Sequence, residues 1–345
     1  MDVTNRKIRS IKILDTPFCI KEEYPLEEIA SNVVKKSRKN VEKILTNKNS
    51  NKLIVIVGPC SIHDYISALE YGTFLKECID KYGDKLEIIM RTYFSKPRTS
   101  VGWKGYIYDP DLNGSCDILK GLRTARKLLL ELLSLGVPCS MEHVDTILPQ
   151  YFDDLLSWSA IGARTTESQV HREVASGVSS AIGFKNSTDG NIDVAINAVK
   201  SANNCHSFIG CDLDGNISQI TTLGNNLAHI ILRGGTDGPN YYSRNIRNVK
   251  SKIRENNILE SIIIDSSHGN SLKQHKNQID VCANICQQIL NGENIIKGIM
   301  IESNIYEGNQ NINDKPLKYG ISITDSCLHL DDTELCLEML YNALP

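Results

Sequence analysis

Eight short apolar segments recur along the chain, and each ends in a side chain that can bind or react. The first, Leu53–Cys60, consists of five consecutive aliphatic residues, then Gly-Pro, then a cysteine. Its length and its β-branched residues favour a strand covered on both faces over a buried helix. The other seven segments end at Arg91, Glu142, Arg164, Lys185, Arg233, His268 and Glu302.

Charged groups at all these strand ends would be costly inside a hydrophobic core, but they suit one shared cavity. If the strands are parallel, their carboxyl ends open on the same side of the molecule. In a (β/α)8 barrel, the TIM-barrel architecture, this edge carries the catalytic and binding residues. We therefore predict an α/β protein with a (β/α)8 barrel over residues 51–345.

Two segments lie outside this repeat. Residues 1–50 are predicted to form an amino-terminal arm, with a short strand over residues 8–14 and a helix from Pro25 to about Leu45. Because that strand has no partner of its own, oligomerisation is expected. Residues 206–223 contain Asp214-Gly215 between two strand-like runs, which predicts a β-hairpin inserted between barrel strands five and six.

Composition narrows the class of protein. The 345 residues exceed the roughly 250 of a plain barrel, which leaves room for the arm and the hairpin. A net charge of −3 argues against a nucleic-acid or anionic-membrane partner, and no apolar run approaches the roughly 18 residues of a membrane span. The polar first ten residues do not resemble a signal peptide, and the 11 cysteines include no CxxC pair, so a cytoplasmic protein with free thiols is expected.

Four of the strand ends carry cations, namely Arg91, Arg164, Lys185 and Arg233. Gathering four positive charges costs free energy unless an anion lies between them. Arginine binds phosphate and carboxylate through paired hydrogen bonds, so a phosphorylated carboxylic acid would suit this set. The alternative is internal salt bridges with Glu142 and other carboxylates.

The long polar segment after strand two contains Lys96, Pro97, Arg98 and Thr99. A loop of about 25 residues inside a compact domain is usually functional. Because this loop leaves the mouth of the predicted barrel, its two cations and hydroxyl suggest a second phosphate site. The alternative is an ordinary solvated surface loop.

A metal site is predicted beside the cations. Cys60, His268 and Glu302 end strands one, seven and eight, which are neighbours in a closed barrel, and Asp325 follows strand eight. One thiolate, one imidazole and two carboxylates disfavour Mg²⁺ and Ca²⁺ and fit one divalent Mn²⁺, Fe²⁺, Co²⁺ or Zn²⁺ ion. The residues alone thus predict a metal-dependent lyase, aldolase or transferase acting on phosphorylated small molecules.

Several motifs together resemble one enzyme family. They are GPCSIHD, KPRTSVGWKG, GARTTESQVHRE, GFKN, HIILRGG, DSSHGNS, ESNIYEGNQ and YGISITDSC. From about residue 8 to 340, the chain resembles type I 3-deoxy-D-arabino-heptulosonate 7-phosphate (DAHP) synthases of the enterobacterial and fungal branch. The KPRT loop separates that family from 3-deoxy-D-manno-octulosonate 8-phosphate synthase, a related barrel that uses a pentose phosphate.

The resemblance implies condensation of phosphoenolpyruvate with D-erythrose 4-phosphate and water, which gives DAHP and phosphate at the entry to the shikimate pathway. It assigns phosphoenolpyruvate to Arg91, Ala163, Arg164, Lys185 and Arg233. It assigns erythrose 4-phosphate to Lys96, Arg98 and Thr99, and the metal to Cys60, His268, Glu302 and Asp325. Candidates for proton transfer are Lys96, Glu142 and His268.

Family members are homodimers or homotetramers whose arm and hairpin build a feedback site for an aromatic amino acid. The residues that match this site are Gln150, Ser179, Phe208 and Gly210. Relatives sensitive to phenylalanine tend to have serine at the position of Gly210, so a tyrosine hydroxyl would fit here. Family arms often offer an acidic residue to the effector's ammonium group, whereas this arm has Asn5, Arg6 and Lys7.

Two other functions are compatible with a barrel of this kind. One is condensation of phosphoenolpyruvate with a pentose phosphate, as in the octulosonate synthase. The other is a non-catalytic barrel that senses an amino acid. The full set of four metal donors and seven substrate-binding side chains favours the heptulosonate synthase over both.

Overall fold

In a computed structural model, which describes residues 3–47 and 51–345, eight parallel strands close into a barrel. These strands are β1 Leu53–Gly58, β2 Leu86–Arg91, β3 Cys139–Glu142, β4 Leu156–Ile161, β5 Ala181–Lys185, β8 His229–Leu232, β9 Ile262–Asp265 and β10 Ile296–Glu302. Around the ring the order is β1-β10-β9-β8-β5-β4-β3-β2, so β1 and β10 close the barrel. The predicted (β/α)8 architecture is confirmed.

Helices connect the strands and cover the outside of the barrel. They are α1 Pro17–Glu23, α2 Glu28–Leu45, α3 Tyr65–Tyr82, α4 Ile118–Ser134, α5 Pro149–Phe152, α6 Gln169–Ala175, α7 Asp193–Ala202, α8 Ser243–Glu255, α9 Asn277–Leu290 and α10 Leu330–Asn342. Within residues 3–47 and 51–345, no helix has the length and apolarity to traverse a bilayer.

Every barrel strand is buried along its whole length, because one face lines the interior and the other packs against helices. Ile54, Ile56, Ile89 and Met300 fill the interior together with Trp158. A filled interior leaves no channel, so no ligand can bind inside the barrel itself.

The neutral form of His229 is part of this interior. Trp158 Nε1 donates to His229 Nε2 at 3.2 Å, the Leu227 carbonyl lies 2.8 Å from Nδ1, and burial lowers the pKa of His229 to about 4. Because the unfolded pKa is about 6.5, the folded state loses stability as the pH falls from about 6.5 towards 4, by about 3 kcal/mol in all.

We expect His229→Gln to reduce the acid-induced loss of unfolding free energy by that amount in urea titrations. An unchanged pH dependence would contradict this account.

The arm differs from its prediction. Residues 8–14 form no strand, and Ile11 and Ile13 are 77% and 91% exposed. A strand needs a partner, and residues 8–14 pair with no described strand, although the inserted two-stranded hairpin leaves its outer edges open. A short helix, α1, was missed, and α2 begins at Glu28 rather than Pro25. The last predicted arm residues, 48–50, lie outside the described residues.

The inserted hairpin is confirmed between the fifth and sixth barrel strands. Strand β6 (Ser207–Cys211) pairs antiparallel with β7 (Ile217–Thr221), and Phe208 lies opposite Ile220. The turn contains Gly215 in the left-handed region at φ +81°, where a side chain would be strained. The arm reaches this turn, since Phe18 N donates to the Leu213 carbonyl at 2.8 Å.

Candidate active site

The four predicted metal donors converge at the carboxyl ends of β1, β9 and β10. Cys60 Sγ lies 3.6 Å from Asp325 Oδ2, and His268 Nε2 lies 3.9 Å from both Asp325 Oδ2 and Glu302 Oε1. Donor atoms of Cys60, Glu302 and Asp325 all lie within 4.8 Å of one another. Ligands bound at about 2.0–2.3 Å in a tetrahedral shell are about 3.5 Å apart, so small side-chain movements would let this set hold one ion. The mixed sulfur, nitrogen and oxygen donors fit a transition metal.

Backbone geometry explains why Cys60 reaches this place. Gly58 has φ +148°, and a Cβ there would lie 3.2 Å from the backbone nitrogen and oxygen of Arg91 on β2. Only glycine permits this close turn at the end of β1. After this turn, the backbone places Cys60 at the mouth of the barrel.

The Cys60 thiol is fully buried between opposite charges. Burial and the Glu302 carboxylate raise its pKa to about 12, although Lys96 opposes the shift with its Nζ 2.8 Å from Sγ. A metal that binds sulfur here must therefore displace a proton. Burial alone would lower the pKa of Lys96, but Cys60 and the carboxylates of Glu302 and Asp325 raise it.

Asp265 was missed by the sequence analysis and lies at the centre of the site. It is completely buried at the end of β9, and its Oδ2 lies 3.0 Å from both Lys185 Nζ and His268 Nδ1. Burial alone would raise its pKa, but the neighbouring His268 and Lys185 hold it well below the usual range. Ser267 Oγ lies closer still to Nδ1, at 2.6 Å, so Asp265 and Ser267 together orient the imidazole with Nε2 towards the other donors.

Two of the four predicted cations form internal ion pairs. Arg91 is buried over the Tyr93 ring and donates from Nη2 to Glu302 at 3.0 Å, while Lys185 pairs with Asp265. The salt-bridge alternative is thus realised at these two positions, with carboxylates other than Glu142. The sequence could not choose, because partners separated by hundreds of residues are fixed only by barrel closure.

The other two cations remain available to an anion. Within the described residues, Arg164 and Arg233 form no ion pair with a carboxylate, and both line a polar cavity of about 300 Å³. Burial lowers the pKa of Arg233, which shows that its charge is held at a desolvation cost. The cavity is lined by Lys96, Pro97, Arg98, Glu142, Gly162, Ala163, Arg164, Lys185, Thr188, Arg233, His268, Ile323, Thr324 and Asp325. Thr188, Ile323 and Thr324 were missed, since no charge marks them in the sequence.

The KPRT loop closes one side of this cavity. Lys96 and Arg98 line it, and the Thr99 hydroxyl accepts a hydrogen bond from Arg164 Nε at 2.8 Å. The loop is thereby tied to the cation group across the mouth. A phosphate held by Arg98 would lie close to one held by Arg164.

Glu142 contributes a carboxylate to the same cavity. Its Oε1 is buried and has no hydrogen-bond partner among the described residues. Gly162 makes this position possible, since a Cβ there would lie 2.3 Å from that oxygen. An unpartnered buried acceptor is free to hold a proton-bearing ligand atom.

A second cavity, of about 430 Å³, lies between the hairpin and the barrel. Gln150, Phe208 and Gly210 line it together with Asp153. Ser179 does not; it lines a neighbouring cavity of about 450 Å³ and donates to Asp153 Oδ2 at 2.5 Å. Three of the four predicted effector residues therefore meet in one place, and Asp153 adjoins both cavities.

Residues 32–338 match the DAHP synthetase I family. The chain belongs to this family. It is 49% identical over 339 residues to the Phe-sensitive phospho-2-dehydro-3-deoxyheptonate aldolase of Escherichia coli K12, covering 98% of this chain and 96% of that one. It is also 49% identical over 335 residues to the Trp-sensitive enzyme of the same strain, covering 97% and 96%.

A solved structure agrees with this family assignment. The phospho-2-dehydro-3-deoxyheptonate aldolase of Francisella tularensis SCHU S4 superposes with a TM-score of 0.96 at 49% identity, covering 98% of each chain. The barrel fold of this chain is thus that of a DAHP synthase. The similarity extends over nearly the whole chain, including the arm and the hairpin.

Proposed function

We propose that this protein is a metal-dependent DAHP synthase that condenses phosphoenolpyruvate with D-erythrose 4-phosphate and water, in the first step of aromatic amino acid biosynthesis. The observation that carries the proposal is the juxtaposition of the four metal donors with the cationic cavity. A donor set alone would fit many metalloproteins. Only a phosphorylated acid beside the metal uses both features.

Phosphoenolpyruvate would lie against Arg164, Lys185 and Arg233, with Ala163 on the cavity wall. Arg91 is buried below with its Nη2 paired to Glu302, and it would contribute through Nη1, which has no hydrogen-bond partner among the described residues. Two free guanidinium groups suit the two anionic groups of this substrate. Erythrose 4-phosphate would bind to the KPRT loop, with its phosphate at Arg98 and Thr99 and its aldehyde towards Lys96.

Carbon–carbon bond formation needs an activated aldehyde. A divalent ion held by Cys60, His268, Glu302 and Asp325 would polarise that carbonyl. C3 of phosphoenolpyruvate then attacks the aldehyde carbon with the electrons of its double bond, and Lys96 donates a proton to the resulting alkoxide. Asp265 keeps His268 in a fixed orientation throughout.

Phosphate release completes the reaction. Water adds to C2, and we assign its proton to Glu142, whose Oε1 is buried and unpartnered. The C2–O bond to phosphate breaks, the hydroxyl proton on C2 passes to the departing phosphate, C2 becomes the ketone, and inorganic phosphate leaves. Arg164, Lys185 and Arg233 stabilise the departing charge.

The direct test is phosphate release from phosphoenolpyruvate with erythrose 4-phosphate or arabinose 5-phosphate offered separately. We expect turnover with the tetrose. Preference for the pentose would support the octulosonate reaction instead, and no turnover with either would support the sensing barrel. Dialysis against a chelator should abolish turnover, and Mn²⁺, Fe²⁺, Co²⁺ or Zn²⁺ should restore it, which also identifies the metal that the protein prefers.

We further propose that the second cavity binds an aromatic amino acid that inhibits the enzyme. Phe208 supplies an aromatic wall, and Asp153 supplies the carboxylate that Asn5, Arg6 and Lys7 do not. Gly210 leaves room for a phenolic hydroxyl, which makes tyrosine the expected effector.

Gly210→Ser tests this effector choice. A Cβ at Gly210 would lie 2.7 Å from Ile220 Cγ1, so the substitution narrows the cavity. We expect the tyrosine concentration for half-inhibition to rise at least about tenfold, equal to about 1.4 kcal/mol of binding free energy, without loss of kcat. Thr73→Ser, on the exposed face of α3 and outside the cavity lining, is the control. Equal tyrosine sensitivity in all three proteins would refute the assignment.

The arm and the hairpin also suggest how copies of the chain associate. Ile11 and Ile13 on the arm and Ile209 and Ile217 on the hairpin are 77–91% exposed, which is costly for aliphatic side chains in water. We propose that they are buried in a homodimer or homotetramer. Deleting residues 3–14 should shift sedimentation towards the monomer, while an unchanged sedimentation coefficient would show that the arm is not the interface.

We place the enzyme in the cytoplasm. All 11 cysteines are free, and Cys60 acts in this proposal as a reduced thiol. In an oxidising compartment, that thiol would be liable to form a disulfide.

A further inference from the structure

A third cavity, of about 750 Å³, lies outside both sites described above. It is formed between the loop that follows β2 and the loop that follows β10. Its lining includes Trp103, Lys104, Tyr108, Asp109, Cys116 and Lys315. Neither the proposed reaction nor the proposed effector uses it.

The cavity has the character of a small-molecule site. Its volume lies within the roughly 300–1,000 Å³ typical of such sites, and its walls are largely aromatic and aliphatic. Trp103 is fixed in place, because its Nε1 donates to the Asp109 carbonyl at 3.0 Å. A rigid indole beside Tyr108 favours a flat ring as the bound group.

Charge selects the other part of the ligand. Lys104 and Lys315 come from the two different loops, and neither has a carboxylate within ion-pair distance among residues 3–47 and 51–345. The one carboxylate of the lining, Asp109, is engaged elsewhere, since both its oxygens accept from Gly114 N at 3.2 and 3.1 Å. Two cations against one occupied carboxylate leave the cavity net positive.

We propose that this cavity binds an aromatic carboxylate, with its ring against Trp103 and Tyr108 and its carboxylate between Lys104 and Lys315. A neutral aromatic compound would leave the ammonium groups unused. A small aliphatic anion would leave the apolar walls of the cavity in contact with water. Only the combination uses both parts of the lining.

The site is coupled to the substrate loop by one hydrogen bond. Lys96 N donates to the Lys104 carbonyl at 2.8 Å, and Lys96 Nζ in turn lies 2.8 Å from Cys60 Sγ. A ligand that holds Lys104 restrains the segment that carries Lys96 and Arg98. Occupancy should therefore change the KM for erythrose 4-phosphate at least twofold and leave the KM for phosphoenolpyruvate unchanged.

Cys116 allows a direct test, because it is exposed and lines the cavity. In a Cys19→Ser, Cys205→Ser, Cys211→Ser background, the rate of disulfide exchange at Cys116 is followed by peptide mass spectrometry. The reagents are 5,5′-dithiobis(2-nitrobenzoate), which is an aromatic carboxylate, neutral 4,4′-dithiodipyridine and the small anion dithiodiglycolate. We expect saturation kinetics with the first reagent alone, and protection of Cys116 by 4-nitrobenzoate.

The variants separate binding from general electrostatic attraction. Lys104→Ala with Lys315→Ala should lower the rate with the aromatic carboxylate at least tenfold and abolish saturation, whereas Lys318→Ala, outside the cavity lining, should not. Circular dichroism verifies that each variant is folded. Linear kinetics with all three reagents, or an unchanged rate in the double variant, would overturn the proposal. Since labelling needs no catalysis, either result leaves the proposed reaction untouched.

Discussion

Cys60→Ala is expected to lower both metal affinity and kcat/KM more than about 100-fold. Even groups that only support a metal ligand typically contribute 10–100-fold, and Cys60 supplies the one sulfur among the four donors. Alanine removes that donor and leaves Lys96 without the sulfur that lies 2.8 Å from its Nζ. Metal affinity is measured by Mn²⁺ titration with electron paramagnetic resonance, and activity by phosphate release.

A second buried cysteine provides the matched control. Cys139 on β3 is fully buried, and its Sγ donates to the Val137 carbonyl at 3.5 Å. Cys139→Ala should cost about 1–2 kcal/mol of unfolding free energy, as small core truncations do, while leaving metal affinity intact. If Cys60→Ala behaved like Cys139→Ala, the metal assignment would fall.

The barrel and its mouth were predictable because both follow from local sequence. Each apolar run fixes a strand, and the residue that ends the run must emerge at the carboxyl edge once the strands are parallel. Cys60 and Glu302, separated by more than 200 positions, therefore meet without any long-range information in the sequence. The hairpin was predictable for the same reason, since Asp214-Gly215 is a local turn signal.

The features that were predicted wrongly or not at all depend instead on contacts with residues far away in the sequence. Local sequence patterns do not identify such partners. The arm strand was wrong because a strand forms only with a partner, and residues 8–14 do not pair with the open edges of the hairpin. The pairing of Arg91 with Glu302 depends on barrel closure, as does that of Lys185 with Asp265. A signal for Asp265 was present: it is the first charged residue after the apolar run of β9, three positions before His268. The predicted metal site included His268 from this segment and omitted Asp265.

The resulting arrangement balances charge before any ligand binds. Glu302 faces both Arg91 and the metal donors, and Asp265 faces both Lys185 and His268. Each buried carboxylate thus links the cation cavity to the metal site. Since isolated buried charges are expensive, removing either carboxylate should disturb both sites together.

Asp265→Asn is expected to show this coupling. The side chain keeps its shape but loses its charge, so Lys185 becomes a buried cation without a counter-charge, at a cost of about 3–5 kcal/mol of unfolding free energy. His268 loses the negative charge 3.0 Å from Nδ1 and keeps only the Ser267 hydroxyl at 2.6 Å, so metal affinity should fall about 10–100-fold. Mn²⁺ titration and urea unfolding measure the two effects separately.

Glu87→Gln is the control, because Glu87 is also buried but its hydrogen-bond partners, Ser37 and Asn40, are neutral. Phosphoenolpyruvate should distinguish a specific role for Asp265 from general damage. In Asp265→Asn the substrate phosphate can supply the counter-charge that Lys185 has lost. The substrate should therefore raise the melting temperature of this variant by more than it raises that of the wild type or of Glu87→Gln. Equal stabilisation of all three proteins would show that Lys185 does not bind the phosphate, and the proposed position of phosphoenolpyruvate would be wrong.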